Sequence, residues 1–254
     1  MSFDMGLREG RRGILGLLED LRTALIRIGI AIGVFSVAAY AGSGFVLKYL
    51  VNLTGVRLAA YGIPETFLAL VSLAAAMGVF ISTPYILYSI LAPLSRSFES
   101  FGRRQMFAFW IASMLLFYAG AVFCLKVTLP YGARFLLSFE DRQVMALISV
   151  HRFTSFCLLF IFGFGCIFEL PLVMILVGGL GLVNVRMLSS CRRYAILAVA
   201  VISAVLTPTP DVVNMALMGV PLYLLYEIGL LGMCFWHPGR GQPIQTLRKA
   251  KTPI

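Results

Sequence analysis

Charged side chains are what this chain has least of. Asp, Glu, Lys and Arg make up 13% of its 254 residues, about half the roughly 25% of a soluble domain. Apolar residues reach 60% and the mean hydropathy is +0.93, more apolar surface than one soluble core of this size could hide. Histidine is nearly absent, with His151 and His237 alone. The five cysteines, Cys124, Cys157, Cys166, Cys191 and Cys234, form no C-x-x-C pair, so no zinc site is expected. A phosphate-cradling glycine loop, a nucleophile elbow and a paired intramembrane aspartate are all missing. Nothing points to covalent chemistry: the expectation is a protein that is not an enzyme and has no metal or cofactor.

What is present is a set of long apolar blocks. Stretches of about 18 or more apolar residues read as membrane-spanning helices. Six blocks stand out, at about 23–42, 66–92, 105–129, 153–183, 194–206 and 212–236. The fold class expected is an all-α polytopic membrane protein, a single six-helix domain over residues 1–254. Residues 1–22 form a cytoplasmic N-terminal segment and 237–254 a cytoplasmic tail. Arg11 and Arg12 precede small and apolar residues, but Glu19, Asp20 and Arg22 interrupt the run, so the first span is expected to be retained rather than cleaved.

Basic residues set the orientation. Of the 21 Lys and Arg, 15 fall on the N-terminal segment, the second and fourth connections and the tail. The positive-inside rule then places both termini in the cytoplasm. The net charge of +10 is mostly this bias, and no nucleic-acid partner is expected.

Span lengths are uneven. Tyr194–Leu206 is 13 residues, roughly 20 Å of helix against a hydrocarbon core of about 30 Å. The turn Thr207–Asp211, "TPTPD", separates it from an equally short sixth helix. The fourth block, by contrast, must tilt or bend, and Pro171 there and Pro84 in the second block can supply bends. Such lengths suggest tilted helices around a concave, glove-like face. In "GIAIG", Gly29 and Gly33 form a G-x-x-x-G that could mark close helix contact.

One acid is out of place. "FGFGCIFELPLVMILVGG", 162–179, is apolar except for Glu169. An isolated charge at a helix centre is costly, about 2.5–3.5 kcal/mol for Asp, Lys or Arg on insertion scales. Glu169 is therefore expected to face a protein-lined or water-accessible cavity, or to hold a proton, and to be functional. Glu227, near the end of the sixth block, is expected to reach the interface, and Asp211 to cap the sixth helix.

Four motifs together resemble the TatC family, the multispanning subunit of the twin-arginine protein translocase. They are "FGFGCIFELP" (162–171), "SAVLTPTPDVVN" (203–214), "GVPLYLLYE" (219–227) and "MLLFYAGAVFCLKVTLP" (114–130). "LLEDLRTALI" (17–26) is similar to the family's L-x-E-L-R-x-R-L, with Asp20, Leu21 and Arg22 at its E-L-R positions, and "STPYILY" (82–88) matches the second helix. The motifs occur in order along nearly the whole chain.

The resemblance implies a receptor and assembly core in a bacterial cytoplasmic (inner) membrane. It would bind twin-arginine signal peptides of folded precursors on the cytoplasmic face, recruit single-span TatA-type and TatB-type subunits, and form homo-oligomers. Transport would be driven by the proton-motive force, with membrane lipid as the surrounding partner. Signal-peptide binding would fall to Asp20, Leu21, Arg22, Glu99, Arg103 and Arg104. Phe168, Glu169 and Pro171 would serve the partner helices, and Thr207, Pro208, Pro210 and Asp211 the outer turn. The chain departs from the pattern at Gly102, where the family usually has glutamate before its basic pair; Glu99, one helical turn away, is the candidate replacement. A proton-coupled secondary transporter using Glu169, and a scaffold without signal reception, are the alternatives.

Overall fold

Proline decides where the long helices are interrupted and where they are not. The computed structural model describes residues 2–96, 103–137, 148–179, 183–206 and 212–236. Along them run α1 (Ser2–Thr54), β1 (Leu58–Ala59), α2 (Ile63–Arg96), α3 (Arg103–Phe123), a π-helical turn (Cys124–Thr128) and α4 (Leu129–Leu137). Then follow β2 (Ile148–Ser149), α5 (Val150–Phe168), α6 (Leu170–Gly179), α7 (Val185–Ser190), α8 (Arg192–Leu206) and α9 (Val212–Trp236). Among the described residues, five helical stretches are long and apolar enough to cross a membrane: Arg22–Thr54, Pro64–Ala92, Arg104–Ala133, Val150–Gly179 and Met218–Phe235. Helix α8 is short as expected, its 15 residues making about 22 Å of helix. The sixth helix is not equally short: α9 has 25 residues, about 37 Å, because it continues through Pro221 and past Glu227.

The chain divides into two compact units, residues 1–164 and 165–254. In the first, α1 packs along α2. They meet where Gly78 faces Ser36: a methyl group on Gly78 would lie 2.7 Å from Ser36 N and 2.8 Å from its Cα. Close approach of two backbones at a small residue is how apolar helices associate without a hydrophobic driving force. Gly29 and Gly33 do not play this part, because a methyl group at either would have nothing within 4 Å. Helix α1 ends on Gly55, whose φ of 69° lets its N–H return to Val51 O at 2.9 Å, a left-handed terminus that favours glycine.

Helix α2 runs continuously through Pro84. Pro84 has no N–H to give to the carbonyl of Phe80, four residues back. Tyr118 of α3 supplies the missing donor, its hydroxyl reaching Phe80 O at 3.0 Å. Trp110 Nε1 donates to Pro84 O at 2.8 Å. The rings of Phe80, Phe117, Tyr118 and Phe162 cluster around this point, with centroids 5.0–6.5 Å apart. Ahead of Pro130 the helix widens instead: Leu129 N–H bonds to Cys124 O, five residues back. An extra residue in the turn relieves the clash a proline ring makes with the carbonyl four before it.

The expectation of an all-α chain needs one correction. β1 and β2 pair in parallel, Leu58 opposite Ile148 and Ala59 opposite Ser149, because the extended connections after α1 and before α5 satisfy each other's backbone groups. Helix also extends into the stretch between the third and fourth apolar blocks, since α4 continues to Leu137 and α5 begins at Val150.

In the second unit α6 crosses α9 on glycines. A methyl group on Gly229 would lie 2.6 Å from Met174 Sδ and 3.1 Å from Pro171 Cα, and one on Gly232 2.6 Å from Ile175 Cδ1. Met174, Leu230 and Met233 form the buried centre, with Ile175, Val185, Leu188 and Tyr226 packed around it.

Candidate functional site

Glu169 occupies the break between α5 and α6. Its N–H bonds to Cys166 O at 3.2 Å, three residues back, and its carbonyl accepts from Leu172 N and Val173 N at 3.0 Å each. Pro171 accounts for the break: it lacks the N–H that would bond to Ile167 O, and it stands at the second residue of α6, where a missing N–H is tolerated. The helix expected to bend in the fourth block is interrupted at the acid itself. Glu169 is half-buried, with Oε1 shielded from solvent, and Phe168 beside it is also half-buried. Pro171 is buried, with its Cα against Gly229 of α9, so the first turn of α6 is pinned from outside. The arrangement presents a carboxyl group at a one-residue interruption of an otherwise apolar span.

Of the residues expected to read a signal peptide, those described lie on α1 and α3. Asp20, Leu21 and Arg22 lie on α1, Arg22 exposed; Arg103 and Arg104 open α3, Arg104 exposed. Glu99 and Gly102 fall outside the described residues, as do Thr207, Pro208, Pro210 and Asp211 of the outer turn.

Two polar clusters were not anticipated. In the second unit Glu227 accepts from Arg192 Nη2 at 2.9 Å and from Tyr223 Oη at 2.8 Å. Glu227, expected to reach the interface, forms an ion pair that joins α8 to α9. Next to it Tyr226 Oη donates to Leu188 O at 2.7 Å, tying in α7. The i, i+4 spacing of Tyr223 and Glu227 was a readable sign; the arginine 35 residues away was not. In the first unit Glu65 gathers donors from Tyr61, Ser149 and His151. That unit also holds an apolar cavity of about 260 Å³ lined by Tyr49, Leu73, Phe80, Leu125 and Phe162 among others, suited to apolar groups and not to guanidinium.

The comparisons with known proteins agree with this build. A model of the family "Sec-independent protein translocase protein (TatC)" matches residues 16–221. The chain belongs to the TatC family. The Sec-independent protein translocase protein TatC of Carboxydothermus hydrogenoformans is 31% identical over 87% of this chain and 92% of the relative. That of Desulforapulum autotrophicum is 34% identical over 85% and 82% respectively. Among solved structures, a crystal structure of the twin arginine translocase receptor TatC superimposes with a TM-score of 0.73 at 31% identity, covering 86% of this chain and 98% of the other. This is a component of a protein translocase, multi-pass in the membrane and mostly helical.

Proposed function

We propose that the chain is the core receptor and assembly subunit of a twin-arginine translocase in a bacterial cytoplasmic membrane. It binds twin-arginine signal peptides of folded precursors at the cytoplasmic face and recruits TatA-type and TatB-type single-span subunits. Export is driven by the proton-motive force, and several copies of the chain assemble. In this reading six helices span the membrane with both termini inside, the short α8 and the helix after it forming the last pair around a glove-like concave face. The observation that carries the reading is the correspondence, over 86% of this chain and 98% of the other, to a structure named as the translocase receptor. The proton-coupled transporter is disfavoured by the same correspondence.

In the proposed division of labour, two adjacent guanidinium groups meet carboxylates at the cytoplasmic surface through forked, charge-assisted hydrogen bonds. Asp20 and Glu99 are the acids assigned to them, with Leu21, Arg22, Arg103 and Arg104 framing the site. Phe168, Glu169 and Pro171 serve the partner helices, and Thr207, Pro208, Pro210 and Asp211 shape the outer turn. Photo-crosslinking from positions 20, 99 and 102 to a twin-arginine precursor, beside its twin-lysine form, tests the reading. Crosslinks to the arginine form alone are expected. Equal crosslinking of both forms, or none, would leave a scaffold without signal reception.

A further inference from the structure

Glu65 closes the start of two helices at once. In its own helix it sits in the first turn of α2, where Oε2 accepts the N–H of Tyr61 at 2.7 Å. Its other oxygen reaches a different helix. Oε1 accepts the hydroxyl of Ser149 in a very short hydrogen bond and the N–H of His151 at 3.4 Å. Ser149 is the residue before α5, and its Oγ in turn accepts from Arg152 N at 3.3 Å. It is therefore the N-cap of α5, bonded to the third residue of the helix in the usual way. A capping box normally takes its acid from that third position. Here the third residue is Arg152, and the acid comes from α2, 84 residues away.

The same spot is where β1 and β2 pair, with Ile148 N–H on Arg57 O at 3.4 Å. Both spans Pro64–Ala92 and Val150–Gly179 begin here. A helix start leaves four N–H groups without intrahelical partners, and such groups are costly near hydrocarbon. One carboxylate answers part of that demand at α5, through His151 N–H, and ties down the residue before the N-cap of α2, through Tyr61 N–H; being anionic, it also suits the positive end of each helix dipole. The groups facing an open cavity of about 680 Å³ beside it are Tyr61, Ile148, Ser149, His151 and Arg152. Because Glu65, itself anionic, already occupies the N-terminal position of α5, the cavity is not set up to receive an anion there.

We infer that Glu65 is a positioning residue: a latch that fastens the start of α5 to the start of α2, and that export requires closed. The helix it holds is the one whose chain continues into Glu169, so the inference deepens the translocase reading and rests on it for its activity readout. The latch itself is read separately.

The test uses the full-length protein in membranes. Paired cysteines replace Leu58 and Ile148, which face each other across the two strands, and their oxidative cross-link reports a closed cap. In that background E65A and S149A are each expected to lower the cross-link yield, and the double variant to lower it no further. S149T, which keeps the hydroxyl, is expected to retain it. E65Q, with one acceptor oxygen left for three donors, is expected to fall between. Without the paired cysteines, export of a twin-arginine precursor should drop in the same rank order at unchanged membrane levels. It should recover in E65A when the 58–148 cross-link is formed. A cross-link yield indifferent to E65A, or additive losses in the double variant, would overturn the latch. Normal export from a cap shown to be open would overturn the positioning role. Absence of twin-arginine export in the parent protein would instead sink the translocase reading, with the cross-link arm still deciding the latch.

Discussion

The hydroxyl of Tyr118 bonds to the backbone carbonyl of Phe80 at 3.0 Å, taking the place of the N–H that Pro84 lacks. The pair lets α2 pass through a proline without an orphaned carbonyl in the span. Y118F removes the donor and leaves the acceptor unsatisfied, so a loss of about 1–2 kcal/mol is expected. P84A restores a backbone donor, and in that background Y118F should cost little. Thermal unfolding of the four proteins in detergent closes the cycle; equal costs of Y118F with and without the proline would refute the substitution of one donor for the other.

Steric tightness at Gly78 and its absence at Gly29 make opposite predictions for the same change. G78A drives a methyl group into Ser36, and overpacking of this kind costs about 1–3 kcal/mol. G29A meets nothing within 4 Å and should be neutral or slightly stabilising, since alanine favours the helix over glycine. Comparing the melting temperatures and yields of the two variants checks the crossing point of α1 and α2.

That contrast shows what a sequence does and does not disclose. The spans were legible because hydrocarbon demands long apolar runs, and the break at Glu169 because Pro171 removes a backbone donor there, although Pro84 does the same in α2 without breaking it. G-x-x-x-G at 29 and 33 misled, since the spacing says that a close approach is possible but not which face of α1 meets α2. The role of Tyr118 was hidden for a related reason: a proline announces an orphaned carbonyl but not the side chain that reaches it. Glu65 and the Arg192–Glu227 pair were equally silent, as each joins residues 35 or more positions apart. The Glu99 and Asp211 assignments lie outside the described residues and stand as they did from sequence.

Arg192 and Glu227 join the start of α8 to α9, with side chains 53% and 26% exposed. That much exposure makes the pair weak, below about 1 kcal/mol, so neither R192A nor E227Q should unfold the protein. Their effect should instead be local and screened by salt. Thiol labelling of a cysteine introduced at Tyr194 is expected to speed up in both variants at low ionic strength, with the difference shrinking in high salt. Identical labelling in all three proteins would mean the pair does not hold the helix start.

Glu169 carries the sharpest prediction. Its backbone lies in a helix break that Pro171 imposes and Gly229 pins, so the side chain can be changed without disturbing the fold. E169A and E169Q should both insert at parental levels and keep their melting temperatures within about 1 kcal/mol of stability, the range of substitutions that break no packing. Export should then separate them. If the carboxyl acts as a hydrogen-bonding group towards a partner helix, Gln preserves donor and acceptor and retains much of the transport while Ala abolishes it. If the group must carry or release a proton, Gln fails as completely as Ala. Measuring precursor export and partner-helix crosslinking for both variants distinguishes these roles, and parental export by E169A would remove Glu169 from the site altogether.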